Sequence, residues 1–215
     1  MGLLVAKVQT FVWGVISARL KQGESRIEGP ERKTPKPEVD RSTKRCTDSF
    51  KQWTGKSNAT IIYDSTVDEF TVRGLINKVG MKENIALVGF TTGGDVFGGF
   101  YSVGVERLDE SFYDPNIFAF SFFSHWRCET PRKFPVYRDV ATMPRVLFFR
   151  DYDYGFVLFG VCGRGAFYLG NERSKSYCEA IGDVFKGLRN TTFTGMNGTR
   201  NGFHHNTRLI AVQLS

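Results

Sequence analysis

Two cysteines are the residues of this chain whose surroundings in sequence best fit a reactive group. Cys128 lies beside Arg127 and a few residues before Arg132 and Lys133, and Cys178 follows further along the chain. Positive neighbours stabilise the thiolate, which is the nucleophilic form of cysteine. One hypothesis is therefore a thiol-dependent redox enzyme that handles peroxide, with Cys128 or Cys178 as the reactive thiol. The alternative is that both cysteines are inert core residues.

A second candidate for chemistry is a metal site that begins with the segment His125-Trp126-Arg127-Cys128. Further ligands could come from Cys162, Cys178 or His204. Their spacing does not match that of a zinc ribbon or finger, and the sequence contains no Cys-x-x-Cys pair. Nucleophile-elbow, metalloprotease and phosphate-loop motifs are also absent from the sequence. We therefore predict no metal site, no cofactor and no catalytic set.

Three acidic residues, Asp109, Glu110 and Asp114, lie in a loop together with Tyr113. Paired carboxylates can act as general acid and base, but only in a geometry that this spacing does not determine. Loop carboxylates can equally contact another protein. We expect these three residues to mark a partner surface.

A glycine-rich hairpin precedes the acidic loop and must position it. The apolar runs Ile85–Phe90 and Val96–Tyr101 flank the polar turn Thr91–Asp95, which is a hairpin pattern. The second run contains the motif Phe97-Gly98-Gly99-Phe100. Glycine weakens a strand, so a glycine pair predicts a bulge or the close approach of neighbouring backbone.

Further short apolar runs with turn residues between them predict more strands. They are Ala59–Tyr63, Asn116–Phe123, Val146–Phe149, Phe156–Val161, Ala166–Leu169 and Leu209–Leu214. A helix capped by Ser65 is predicted from Thr66 to about Val79, with Gly80 as its stop signal. Many short strands and one clear helix predict an α+β, mainly β, fold: a two-sheet antiparallel β-sandwich with a few flanking helices.

The chain is predicted to have three segments. Residues 1–20 carry apolar side chains at helical spacing and predict an amphipathic helix used in packing or self-association. Residues 21–47 are polar, charged and proline-containing, which is typical of a flexible basic linker. Residues 48–215 form the predicted folded domain.

Charge is distributed unevenly over these segments. The chain has 29 Lys and Arg residues against 22 Asp and Glu residues. Residues 1–55 hold 11 of the basic and six of the acidic residues, so the basic character belongs mainly to this part. The folded domain is therefore not predicted to bind DNA. Residues 1–45 could attach the chain to a membrane surface or to RNA.

Cysteine usage and hydropathy predict the compartment. The four cysteines are widely spaced in a chain long enough to build an apolar core, which is typical of reduced thiols. No run of about 18 apolar residues occurs, and the N-terminal segment does not have the order of a signal peptide. We expect a cytoplasmic protein.

The order of these segments resembles the TLDc domain family over about residues 48–215. In that family a Phe-Gly-Gly-aromatic strand is followed by an acidic loop and an apolar strand. The residues that carry the resemblance are Trp53, Thr60–Ser65, Asn84–Val88, Val96–Phe100, Asn116–Phe122, Gly165–Gly170 and Phe185–Gly187.

The resemblance implies a β-sandwich with flanking helices, in agreement with the strand pattern. It further implies a role in protection from oxidative damage and, as for several members, binding to subunits of the vacuolar proton-pumping ATPase. It implies no catalytic mechanism. The expected function is therefore that of a non-enzymatic interaction domain.

Overall fold

The computed structural model describes residues 39–137, 143–150, 155–162, 164–171, 173–174, 176–195 and 203–215, with residues 39–46 described by their backbone alone. The predicted helix over 1–20 lies outside this part of the chain, as do residues 21–38 of the predicted linker. The chain divides into two units, Met1–Ser49 and Phe50–Ser215, and the sandwich belongs to the second.

One sheet of six antiparallel strands places the last strand of the chain between the first two. The strands, in spatial order, are β1 (Ala59–Asp64), β12 (Asn206–Leu214), β2 (Ile85–Thr91), β3 (Val96–Tyr101), β5 (Phe118–Phe123) and β6 (Arg132–Pro135). The predicted hairpin is the β2–β3 pair, in which Gly89 lies opposite Phe97.

A second sheet of four antiparallel strands packs on the first. Its order is β4 (Ser111–Tyr113), β7 (Pro144–Phe148), β8 (Val157–Val161) and β9 (Arg164–Leu169). A short pair, β10 (Ser176–Tyr177) with β11 (Phe203–His204), completes the strands of the described chain. The predicted mainly β, two-sheet antiparallel sandwich with a few helices is confirmed.

In the described part of the chain, three helices accompany the sheets: α1 (Val39–Thr54), α2 (Val72–Val79) and α3 (Ile181–Val184). The first begins inside the segment for which the sequence predicts a linker. The helix predicted from Thr66 is wrong in its start, because helix α2 begins only at Val72. The Asp64 carboxylate accepts a hydrogen bond from the Thr66 amide at 3.0 Å and so favours a turn there. Thr71 is the true N-cap, and its Oγ1 accepts from the Gly74 amide at 3.1 Å.

Aromatic side chains fill the space between the two sheets. Phe97 stacks on Phe193 with ring centroids 4.5 Å apart, and Phe159 stacks on Phe167 at 5.0 Å. All four are fully buried. Burying this much apolar area is the main source of the domain's stability.

The glycine pair of β3 allows two close approaches on opposite faces of the strand. A Cβ atom on Gly99 would lie 2.5 Å from Cε1 of Phe159, and a Cβ atom on Gly98 would overlap the carbonyl oxygen of Leu87 on β2. The predicted close approach of neighbouring backbone is therefore confirmed at Gly98. The register shift of the β3–β5 pair lies between Val96 and Phe97, just before the glycines.

A buried ion pair links β1 to β12. Both side chains, Asp64 and Arg208, are almost inaccessible to solvent. Arg208 Nε donates to Asp64 Oδ1 at 2.8 Å, and its Nη2 donates to the other carboxylate oxygen. The guanidinium also lies over the Phe90 ring, 5.6 Å from its centroid. Bidentate pairing of this kind fixes the relative position of the two strands.

Within the described part of the chain, no helix is both long enough and apolar enough to cross a bilayer.

Candidate functional site

The outer face of the six-stranded sheet carries an aromatic cluster beside the end of helix α1. Alternation along β5 sends Phe118, Phe120 and Phe122 to this face. Trp53 of the helix contacts all three, with ring centroids about 6 Å apart, and stacks on Phe122. Phe50, one helical turn earlier, meets Phe120 and Phe122 at 5.2 Å. The helix end thus covers a face that would otherwise be apolar and exposed.

A groove of about 850 Å³ opens at one end of this cluster. Its floor includes Phe100 and Phe118, which stack with centroids 4.7 Å apart. Its walls come from the end of helix α1, the segments around β4, strand β6 and the start of β7. The lining residues are Trp53, Thr54, Lys56, Asn84, Phe100, Ser102, Tyr113, Pro115, Asn116, Ile117, Phe118, Lys133, Pro135, Val136, Tyr137 and Pro144.

Lys133 connects strand β6 to the helix across the groove. Its Nζ donates to the Trp53 carbonyl oxygen at 2.7 Å and lies 4.3 Å from the centroid of the Phe118 ring. Burial lowers the pKa of Lys133, whereas the carbonyl and the ring face are both contacts that suit the ammonium form. Of the described lining residues, only Lys133 and Lys56 carry a formal charge at neutral pH, and both charges are positive.

Asp114 shapes the opposite wall from inside the protein. Its carboxylate accepts hydrogen bonds from the amide and hydroxyl of Ser102 and from the amide of Asn116, the last two at 2.8 Å. Asp114 is 0% exposed, so it does not form a surface with the other two acids of the loop. Its role is to hold Ser102 and Asn116, two lining residues of the groove, in place.

Asp109 and Glu110 do lie on the surface, and each has a basic neighbour. Asp109 accepts from the Arg150 amide at 2.9 Å and lies 3.6 Å from the Arg150 guanidinium. Glu110 pairs with Arg107 at 3.2 Å. The Asp109 and Glu110 side chains are each 53% exposed, so the two carboxylates remain accessible to a partner.

The two candidate thiols are both buried. Burial raises the pKa of Cys178 to about 12, so its thiol stays protonated at neutral pH. The thiol of Cys128 donates to the Thr130 carbonyl oxygen at 3.3 Å. Arg127, one of the positive neighbours in sequence, directs its guanidinium to Asp95 instead, at 2.8 Å.

The candidate metal ligands are not assembled. His204 is buried against Phe97, and burial lowers its pKa to about 3. Among the residues that the structure describes, no three His, Cys, Asp or Glu side chains are grouped so that they could hold a metal ion.

Sequence reasoning missed a polar cluster of the buried Asp95 with the partly buried His125 and Arg127. The Asp95 carboxylate accepts from the His125 amide at 3.0 Å and lies 3.4 Å from its Nδ1. Arg127 also donates to the Thr192 carbonyl oxygen at 3.1 Å, so the cluster joins three loops. Burial raises the pKa of Asp95, and the contacts with His125 and Arg127 act against that effect. In the sequence, the position of Asp95 at the end of a glycine-rich turn was the one indication of this cluster.

No protein-family model matches this chain, and a search of curated proteins found no match.

Proposed function

We propose that this chain is a non-enzymatic, TLDc-like protein-interaction domain associated with the response to oxidative stress. The proposed partner is the vacuolar proton-pumping ATPase. The sandwich fold and the central Phe97-Gly98-Gly99-Phe100 strand are consistent with the resemblance that motivates this proposal.

The groove is the observation that carries the interaction part of the proposal. Its walls combine aromatic and prolyl side chains with lysine, and its described lining includes no carboxylate, histidine or cysteine. Apolar, concave surfaces with a few polar groups are typical of binding sites. Two of the polar groups that the sequence singled out serve the fold instead: Asp114 bonds to two backbone segments, and Cys178 is protonated in the core.

The partner can be tested by a pull-down of pump subunits with the purified full chain. We expect recovery of pump subunits above a bead control and a marked loss of recovery with Tyr113→Ala, because Tyr113 lines the groove and is 54% exposed. Trp126→Ala is the matched control, since Trp126 is an exposed aromatic residue, 78% accessible, that does not line the groove.

Recovery of no pump subunit above the bead control would remove the pump as the partner. Equal recovery with wild type and Tyr113→Ala would show instead that the pump binds another surface.

A further inference from the structure

We infer that the groove binds an acidic peptide segment of a partner protein, with carboxylates of the peptide at Lys133 and Lys56. This inference rests on the proposed role as an interaction domain and specifies the chemistry of the bound segment. The first argument for this inference is charge complementarity. Among the described residues of the lining, the charged ones are both lysines, and a concave, partly apolar wall strengthens the attraction of an anion to them.

One buried carboxylate beside the groove lining does not cancel this charge. Asp114 lies between the lining residues Tyr113 and Pro115, but its side chain points inward and its oxygens already accept three hydrogen bonds. Among the described residues, the neighbours of the Lys133 ammonium group are a carbonyl and a ring face rather than an acidic side chain. A carboxylate of a bound peptide can therefore pair with it.

The remaining lining suits the apolar residues and backbone of a peptide. Tyr113 and Tyr137 are 54% and 41% exposed, so their rings can be buried by an apolar side chain. Aromatic residues at the centre of an interface commonly provide much of the binding energy. The amides of Asn84 and Asn116 lie on the same lining and can exchange hydrogen bonds with an extended backbone.

The same features argue against a nucleic acid. Single-stranded nucleic acids bind to aromatic faces that are open for stacking, along an extended basic track. Trp53 already stacks on Phe122 and packs against Phe118, and the described lining carries two lysines rather than an extended basic track. A peptide that carries few charges matches this arrangement better.

A titration of the full chain with defined peptides tests the inference. Two peptides are used: a ten-residue synthetic sequence that alternates glutamate with leucine and phenylalanine, and the same peptide with glutamine in place of glutamate. A ten-nucleotide single-stranded RNA is the third ligand. Binding is followed by nuclear magnetic resonance of the indole N–H groups. Trp53 reports on the groove, and Trp126, which lies outside the lining, is the internal control.

We expect the glutamate peptide to shift the Trp53 signal, to leave Trp126 unchanged and to bind more weakly at high salt. Lys133→Met keeps an unbranched stem over Phe118 but removes the charge, and it should weaken binding about tenfold. Lys56→Gln should weaken it as well, and it leaves the contacts of Lys133 intact. Arg73→Gln is the charge-matched control, because Arg73 is exposed on α2 and does not line the groove.

Three results would overturn the inference: equal affinity for the glutamate and glutamine peptides, unchanged affinity in both lysine variants, or tighter binding of the RNA. These results can be distinguished from a failure of the proposed function. Capture of the pump without binding of the glutamate peptide would reject only the acidic segment as the ligand. Binding of the glutamate peptide without capture of the pump would reject only the pump as the partner.

Discussion

Burial separates residues that stand close together in the sequence. Asp109 and Asp114 flank the short strand β4 where the sequence predicts one acidic loop, yet one is paired on the surface and the other is enclosed by hydrogen bonds to Ser102 and Asn116. The same distinction applies to the basic residues near Cys128, because Arg127 contacts Asp95 and Lys133 contacts Trp53. Sequence proximity alone therefore overstates the positive field at a thiol.

The thiol of Cys178 is expected to be unreactive in the folded protein. Its pKa is raised to about 12 by burial, so little thiolate exists at neutral pH. Cys162 is exposed on the β8–β9 turn and should react readily with a thiol reagent. Peptide mapping by mass spectrometry after brief alkylation checks both expectations.

Denaturant provides the control for this measurement, since unfolding should make Cys178 as reactive as Cys162. Rapid native labelling of Cys178, or peroxide consumption that falls in Cys178→Ser, would favour the thiol enzyme instead.

At the scale of elements, strand β3 requires glycine, which has no side chain, at positions 98 and 99. Gly98→Val places a branched side chain against the Leu87 carbonyl oxygen of β2. We expect it to lower the free energy of unfolding by about 1–3 kcal/mol or more, since neither strand can move without disturbing the sheet. Urea unfolding followed by fluorescence measures the loss.

Gly93→Ala is the control for this substitution. Gly93 lies in the turn before β3, and a Cβ atom there would meet Asp95 at an ordinary contact distance of 3.5 Å. The free energy of unfolding of the Gly93→Ala protein should stay within about 0.5 kcal/mol of the wild-type value. A Gly98→Val protein as stable as Gly93→Ala would show that the glycine pair has no packing role.

The strands were largely predictable from sequence, and the start of α2 was not. Apolar alternation and turn residues located β2, β3 and β5 to within two residues at each end. Ser65 looks like a helix cap in sequence, but Asp64 competes for the same amide groups because Arg208 holds its carboxylate in place. Arg208 lies on the last strand, so local sequence could not reveal its effect on Asp64.

For the whole molecule, the Asp64–Arg208 pair connects stability to pH. Burial alone would raise the pKa of Asp64, but hydrogen bonds from Arg208 and Thr66, together with the charge of Arg208, hold it below its usual value. Ionised Asp64 therefore stabilises the fold above about pH 4, the usual range for an unfolded aspartate, and this contribution is lost as pH falls through the lower folded pKa. Asp95, with its raised pKa, acts in the opposite direction.

Asp64→Asn should reduce the free energy of unfolding by about 3–5 kcal/mol near neutral pH, because Arg208 is left without its buried counter-charge. The difference from wild type should shrink in acid, and taking this difference cancels the contribution of Asp95. Urea unfolding at about pH 7 and about pH 3 measures it. Combining Asp64→Asn with Arg208→Met should recover part of the loss. A deficit of equal size at both pH values would contradict the assignment.

The groove was not predictable from sequence, because its lining comes from segments spread between Trp53 and Pro144. Trp53 and Lys133 are 80 residues apart and share no motif, yet they form one wall. The resemblance to a family described the sandwich but not this surface. Topology brings the two residues together, and topology is what apolar periodicity specifies least.

The position of β12 between β1 and β2 also has a consequence for the timing of folding during synthesis. The first two strands of the sheet pair with residues 206–214 rather than with each other. Until residues 206–214 have left the ribosome, β1 and β2 each present an open edge. Such long-range pairing gives a high contact order and slow closure of the sheet. Nascent chains of this protein are therefore expected to need protection by chaperones until the final strand arrives.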